Sequence, residues 1–123
     1  MTEYVPGVCN IGGAERGRRM RLGILAAAFF VVGLVLLLAL GWPAWLRLGL
    51  ALPAAGAAAN VLQVRRRFCA GFAWAGVANF GPVGELARIA DTSARDADRR
   101  AALRLGVEAF AIGVAVAVAT LLL

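Results

Sequence analysis

The sequence predicts an all-α integral membrane protein of three transmembrane helices: a helical hairpin, a short interfacial or re-entrant segment, and a third span. Three observations predict it. Of the 123 residues, 62% are hydrophobic and 16% charged, and the mean hydropathy is +0.80, outside the range of an ordinary soluble domain. Residues 22–46 and 48–64 carry no charge and are separated by Arg47 alone, while residues 105–123 contain a single charge, Glu108. Runs of this kind approach or exceed the roughly 20 apolar residues needed to cross about 30 Å of hydrocarbon. The arginines, finally, cluster at the ends of these runs, as membrane-flanking charge does.

The stretch "VCNIGGAERGRRMRLG", residues 8–23, leads into the first span. Gly12 and Gly13 let the backbone turn sharply before the helix. Arg16, Arg18, Arg19 and Arg21 form a collar suited to lipid phosphates. Glu15 and Arg19 fall one helical turn apart, the spacing of an ion pair. A cleaved signal peptide is the rival reading of the first run. That run is too long for an h-region, however, and fifteen residues precede the arginines.

In "GWPAWLRLG" Gly41 and Pro43 break the helix, and Trp42 and Trp45 are rings of the type that settle at headgroup level. This is the tight turn of the hairpin. The second span returns to Arg65, Arg66 and Arg67, which continue the collar. The apolar stretch 68–80 that follows is too short to span. Phe68, Phe72, Gly76 and Phe80 recur every four residues, so the stretch reads as a helical segment roofing the hairpin until Gly81, Pro82 and Gly84 break it.

Residues 85–104 form a cytoplasmic link and the start of a long helix. Thr92 or Ser93 is its expected N-cap, with Asp96 in the first turn. No breaker follows, so the helix runs on into the third span. Glu108 lies four residues after Arg104, where the two can pair at the membrane boundary. Gly106 and Gly113, with Ala109, Ala117 and Ala119, supply small faces that permit close helix packing, as does "PAAGAAAN" in the second span. A homo-oligomer, or a place as a subunit of a membrane complex, is therefore expected. The chain divides into residues 1–84, the hairpin with its collar and interfacial segment, residues 85–104, and the third span at 105–123.

Orientation follows from the arginines. Four precede the first span, one sits in the hairpin turn, and eight lie between Arg65 and Arg104. Twelve of thirteen thus fall on one side, which puts the N-terminus in the cytoplasm and the C-terminus outside, in a multi-pass inner-membrane protein. The net charge of +6 and isoelectric point near 11.3 point to the lipid bilayer as partner, not to nucleic acid, because the arginines flank apolar runs.

The residues that carry chemistry are few. There is no histidine and only one serine and one tyrosine, and no phosphate-binding glycine loop stands between a strand and a helix. Catalysis would have to run through the candidate thiols Cys9 and Cys69, so no enzyme activity is expected. The hairpin returns both cysteines to one face, where they can be neighbours. A reducing compartment disfavours a disulfide, and two cysteines without histidine cannot complete a four-ligand zinc site. No metal and no cofactor are expected. Cys9 sits near the collar and Cys69 beside Arg65 and Arg66, so each reads either as a reactive thiol or as a packed one. The deep polar candidates for a path across the bilayer are Asn60, Gln63 and Glu108.

Asn10, Ile11, Gly12, Glu15, Arg16, Arg19 and Gly23, followed by a span, and then Cys69, Phe72, Gly76 and Asn79 after the second span, form a two-part pattern. It resembles the YgaP-like transmembrane family, an inner-membrane helical hairpin. The chain departs from that pattern at Ala70, where the family usually has proline, in its longer hairpin, and in everything after about residue 85. Some relatives carry the hairpin fused to a rhodanese domain, which moves sulfur as a cysteine persulfide. The resemblance therefore implies a link to sulfur transfer and a sulfurtransferase partner. The functional expectation is a non-enzymatic membrane module or complex subunit with that link. The alternative is an oligomeric component for small-solute or ion transport.

Overall fold

A computed structural model of the chain describes residues 4–123. Its helices are α1 (Gly13–Ala39), α2 (Ala51–Arg66), the short α3 (Ala70–Ala75) and α4 (Thr92–Thr120), with a 3-10 helix (Ala44–Leu50) before α2. Two two-residue strands, β1 (Val77–Ala78) and β2 (Ala87–Arg88), lie between α3 and α4. Among the described residues, three helical stretches are long and apolar enough to cross a membrane: Gly13–Ala39, Ala44–Arg66 and Thr92–Thr120. The architecture is that of an all-α, multi-pass membrane protein.

The spans end where local chemistry stops them. α1 has 27 residues, about 40 Å at 1.5 Å per residue, so it outruns the hydrocarbon and carries its arginines beyond it. It ends at Ala39 rather than running on to residue 46, because Gly41 turns the chain at φ +66° and Pro43 follows. The second span enters through the 3-10 helix and continues directly into α2. Pro53 falls in the first turn of α2, where its missing N–H interrupts no ladder. At the hairpin tip the Arg47 guanidinium donates to the Thr120 carbonyl at 3.0 Å, supplying the end of α4 with a cationic cap.

α2 is the central helix, with α1 and α4 both packed against it. Ala109, Gly113 and Ala117 are the contact face of α4. A Cβ at Gly113 would lie 2.7 Å from the Ala51 carbonyl oxygen and from Ala55, while Ala109 and Ala117 are buried. Part of the small face on α4 is thus occupied within the chain, while Gly106 and Ala119 stay exposed. Gly23 on α1 similarly receives Asn60, whose Cβ would stand 3.1 Å from an added methyl.

A cluster of buried hydrophobic side chains sits at the arginine-rich end, where Phe68, Ala73, Ala101, Ala102 and Leu105 pack together. Here α3 lies on α4, which corrects the expectation of one helical segment through residue 80. Gly76 adopts φ +76° and ends α3 after six residues. A Cβ there would also meet Arg95 Cδ at 2.9 Å. The chain leaves as β1 and pairs antiparallel with β2, Val77 opposite Arg88 and Ala78 opposite Ala87. Residues 68–80 are therefore folded onto α4 and closed by a small ribbon.

Two further expectations are corrected at α4. Its N-cap is Asp91, whose carboxylate accepts from the Ser93 N–H at 3.1 Å. The helix accordingly starts at Thr92, and Asp96 falls beyond its first turn. Glu108 pairs with Arg66 at 2.6 Å, not with Arg104, because the antiparallel packing of α2 on α4 carries Arg66 across to it.

Candidate functional site

The N-terminal segment is threaded between the end of α2 and the loop after α3. Arg67, the residue after α2, takes the left-handed conformation at φ 54°, and the Phe68 N–H reaches back to the Gln63 carbonyl at 3.0 Å, a Schellman-type ending. The Arg67 carbonyl thereby turns to accept the N–H groups of Asn10, at 2.9 Å, and Ile11, at 3.2 Å. On the other side Asn79 N donates to the Asn10 carbonyl at 3.0 Å, and Gly12 N donates to the Asn79 carbonyl at 2.8 Å. The approach is close: a Cβ at Gly12 would lie 2.9 Å from the Phe80 carbonyl oxygen, so only glycine fits.

This threading assembles a buried polar cluster. The Asn10 side chain brackets Cys69, accepting from its backbone N–H at 2.7 Å and donating to its carbonyl at 3.1 Å. Glu15, 1% exposed, accepts from Arg19 Nη1 at 2.8 Å through one oxygen and from Asn79 Nδ2 at 2.9 Å through the other. Arg19 uses its second terminal nitrogen on the Cys69 sulfur, at 2.8 Å, and its guanidinium lies 5.0 Å from the centre of the Phe72 ring. Asn79 also donates to the Pro82 carbonyl and accepts from the Gly81 N–H. A charge chain of carboxylate, guanidinium and thiol is thus enclosed with its hydrogen bonds satisfied, the condition under which buried charge is tolerated.

The sequence pair Glu15–Arg19 forms as its spacing predicts. Arg19, however, is not part of the lipid-facing collar: it is buried, and its guanidinium, not that of Arg65 or Arg66, is the one bonded to Cys69. Arg18 stays half-exposed at 3.7 Å from Glu15. Arg16 Nε donates to the Val64 carbonyl at 3.1 Å, tying α1 to α2. Arg21, Arg65, Arg66 and Arg67 are exposed.

Cys9 and Cys69 are both buried free thiols. Cys9 Sγ faces the Ile11 carbonyl at 4.0 Å, and Cys9 lines a surface cavity of about 220 Å³ with Arg16 and Arg67. Among the described residues, no group of three or more metal-ligating side chains is assembled. The deep polar candidates have local partners. Asn60 donates to the Gly56 carbonyl of its own helix, Gln63 accepts from the Ala70 N–H at the start of α3, and Glu108 holds Arg66 near the surface.

A second buried centre was not singled out by sequence. Asp98 on α4 is fully buried and accepts from the Tyr4 hydroxyl and the Gly7 N–H, both at 2.7 Å. Burial, and then the hydrogen bond and charge of Asp98, raise the Tyr4 phenol well above its ordinary pKa. The one available signal, an aspartate in the run "RDADRR", is indistinguishable from solvated helix charge.

Compared with known proteins, the chain matches no family model, no curated protein and no solved structure.

Proposed function

We propose that this chain is a non-enzymatic membrane module, a small multi-pass subunit whose buried polar residues fix the shape of its arginine-rich end. The observation that carries this reading is the environment of Cys69. Its residue is 5% exposed, its backbone N–H and carbonyl are both taken by Asn10, and its sulfur is covered by Arg19. A nucleophile needs an approach path, and this thiol is instead the centre of a clasp joining the N-terminal segment, α1, α2 and α3. The arginine distribution supports an inner-membrane location with that end in the cytoplasm and the C-terminus outside. The resemblance to the YgaP-like hairpin favours the same placement, since the residues that carry it, from Asn10 to Asn79, are those of the clasp. Transport draws no support from Asn60, Gln63 and Glu108: Asn60 bonds back to its own helix, Gln63 accepts from the start of α3, and Glu108 holds Arg66.

A second reading rests on one contact, the Arg19 guanidinium 2.8 Å from the Cys69 sulfur. If the clasp opens, Cys69 as thiolate attacks the outer sulfur of a donor persulfide, forming a Cys69 persulfide as the donor thiolate leaves, and Arg19 balances the charge of the product. A sulfurtransferase would be the partner.

The experiment that separates the readings is peptide-mapped mass spectrometry of the folded protein after exposure to a sulfane-sulfur donor without reductant. The module reading predicts no added sulfur at Cys69. Stoichiometric gain of one sulfur there, abolished by Arg19→Met, overturns it in favour of the relay.

A further inference from the structure

The face of α2 left uncovered between α1 and α4 forms an apolar groove of about 460 Å³. Its floor on α2 runs from Ala54 at the far end through Ala57 and Ala58 to Val61 and Leu62. Phe30 and Val31 of α1 make one wall, and Ile112 and Val116 of α4 the other. The polar residue of the lining is Arg65, at the end where the chain gathers its arginines. We propose that this groove holds one acyl chain of an anionic phospholipid from the leaflet on the arginine-rich side, with the Arg65 guanidinium on the lipid phosphate.

Length and charge select this occupant. Ala54 to Arg65 is eleven steps of helix, about 16 Å at 1.5 Å each, half of the roughly 30 Å hydrocarbon core and hence the depth of one leaflet. In the deep half the alanines let such a chain approach the α2 backbone, and towards the mouth Val61 and Leu62 give it apolar contact. At the mouth Arg65 is exposed, and among the described residues it forms no ion pair, whereas Arg18, Arg19 and Arg66 each face a carboxylate. A guanidinium above an apolar slot at headgroup depth matches a phosphate above an acyl chain, and a net negative headgroup adds attraction that a zwitterionic one lacks.

The test is native mass spectrometry of the detergent-solubilised full chain with phosphatidylglycerol or phosphatidylcholine of the same acyl composition. The expected result is one retained lipid per chain, with phosphatidylglycerol preferred. Arg65→Gln should weaken phosphatidylglycerol retention about fivefold, the scale of one interfacial arginine, while Arg88→Gln, which removes the same charge from exposed β2, should leave it unchanged. Ala58→Leu, which fills the groove, should reduce retention of both lipids. Arg65→Gln keeps the test decisive if Ala58→Leu disturbs folding, because its side chain is exposed. Equal retention by the parent and Arg65→Gln, equal losses in Arg65→Gln and Arg88→Gln, or a lipid-free dimer would each overturn the proposal.

Discussion

At the residue scale the clasp depends on matched partners. Arg19→Met leaves Glu15 charged and buried without its cation, a loss of about 3–5 kcal/mol for breaking one side of a buried pair. The expected outcome is a strongly lowered melting temperature in detergent, partly restored in Glu15→Gln/Arg19→Met, where neither charge remains. The two thiols should also differ. Cys9 lines a surface cavity and Cys69 is enclosed beneath Arg19, so peptide-mapped alkylation of the folded protein should label Cys9 first. Tyr4 offers a direct titration, since it is the sole tyrosine. Its phenol should ionise well above the ordinary 10.0, and Asp98→Asn should bring the absorbance midpoint down. The folded state keeps this proton longer than the unfolded chain, so by linkage the stabilising contribution of the Tyr4–Asp98 bond is intact below pH 10 and falls as pH rises above it. The pair Glu15–Arg19 was legible because its spacing is local. The bonds Arg19–Cys69 and Asn79–Glu15 join residues 50 and 64 positions apart, and no local pattern encodes them.

At the element scale, the glycines separate packing from composition. Gly113 meets the backbone of α2, and an added Cβ would sit 2.7 Å from the Ala51 carbonyl oxygen. Gly113→Val should therefore push α4 from α2 and destabilise by about 1–3 kcal/mol, as overpacking does. Gly106 faces open space, so Gly106→Ala should cause no loss. Thermal unfolding of the two variants side by side checks both. The sequence treated these glycines alike because a run of small residues reveals a close-packing face but not its partner. The spans themselves were legible, since uncharged length is a property of the segment alone. The end of α3 was not. A four-residue recurrence of Phe68, Phe72, Gly76 and Phe80 suits a continuing helix, yet Gly76 turns left-handed and the ribbon of β1 and β2 takes over. The turn brings the Gly76 carbonyl to the Ile89 N–H at 2.8 Å, a partner thirteen residues on that no local recurrence encodes.

At the scale of the whole molecule, the chain combines a rigidly knotted end with a largely apolar exterior. α1 buries Glu15, Arg19 and Gly23 and turns most of its remaining length outward, as a lipid-facing helix does. Four separate segments meet in the clasp, so one end of the hairpin is fixed to the third span through α3 and Asp98, and the other through Arg47 and Thr120. Such a body suits a subunit that presents a constant shape to its neighbours. The topology proposed from the arginine asymmetry can be tested directly. In a background of Cys9→Ser/Cys69→Ser, a cysteine introduced by Trp45→Cys should react with an impermeant thiol reagent from outside intact cells, and one introduced by Arg88→Cys only after permeabilisation. The proposed shape-fixing role of the clasp requires no thiol chemistry. Its most direct test is the apparent mass and abundance of the Cys9→Ser/Cys69→Ser variant in native membranes solubilised in mild detergent. Serine still accepts the Arg19 hydrogen bond, so the variant should run at the same apparent mass and abundance as the parent. A changed apparent mass in a variant that still folds and inserts would contradict the proposed role.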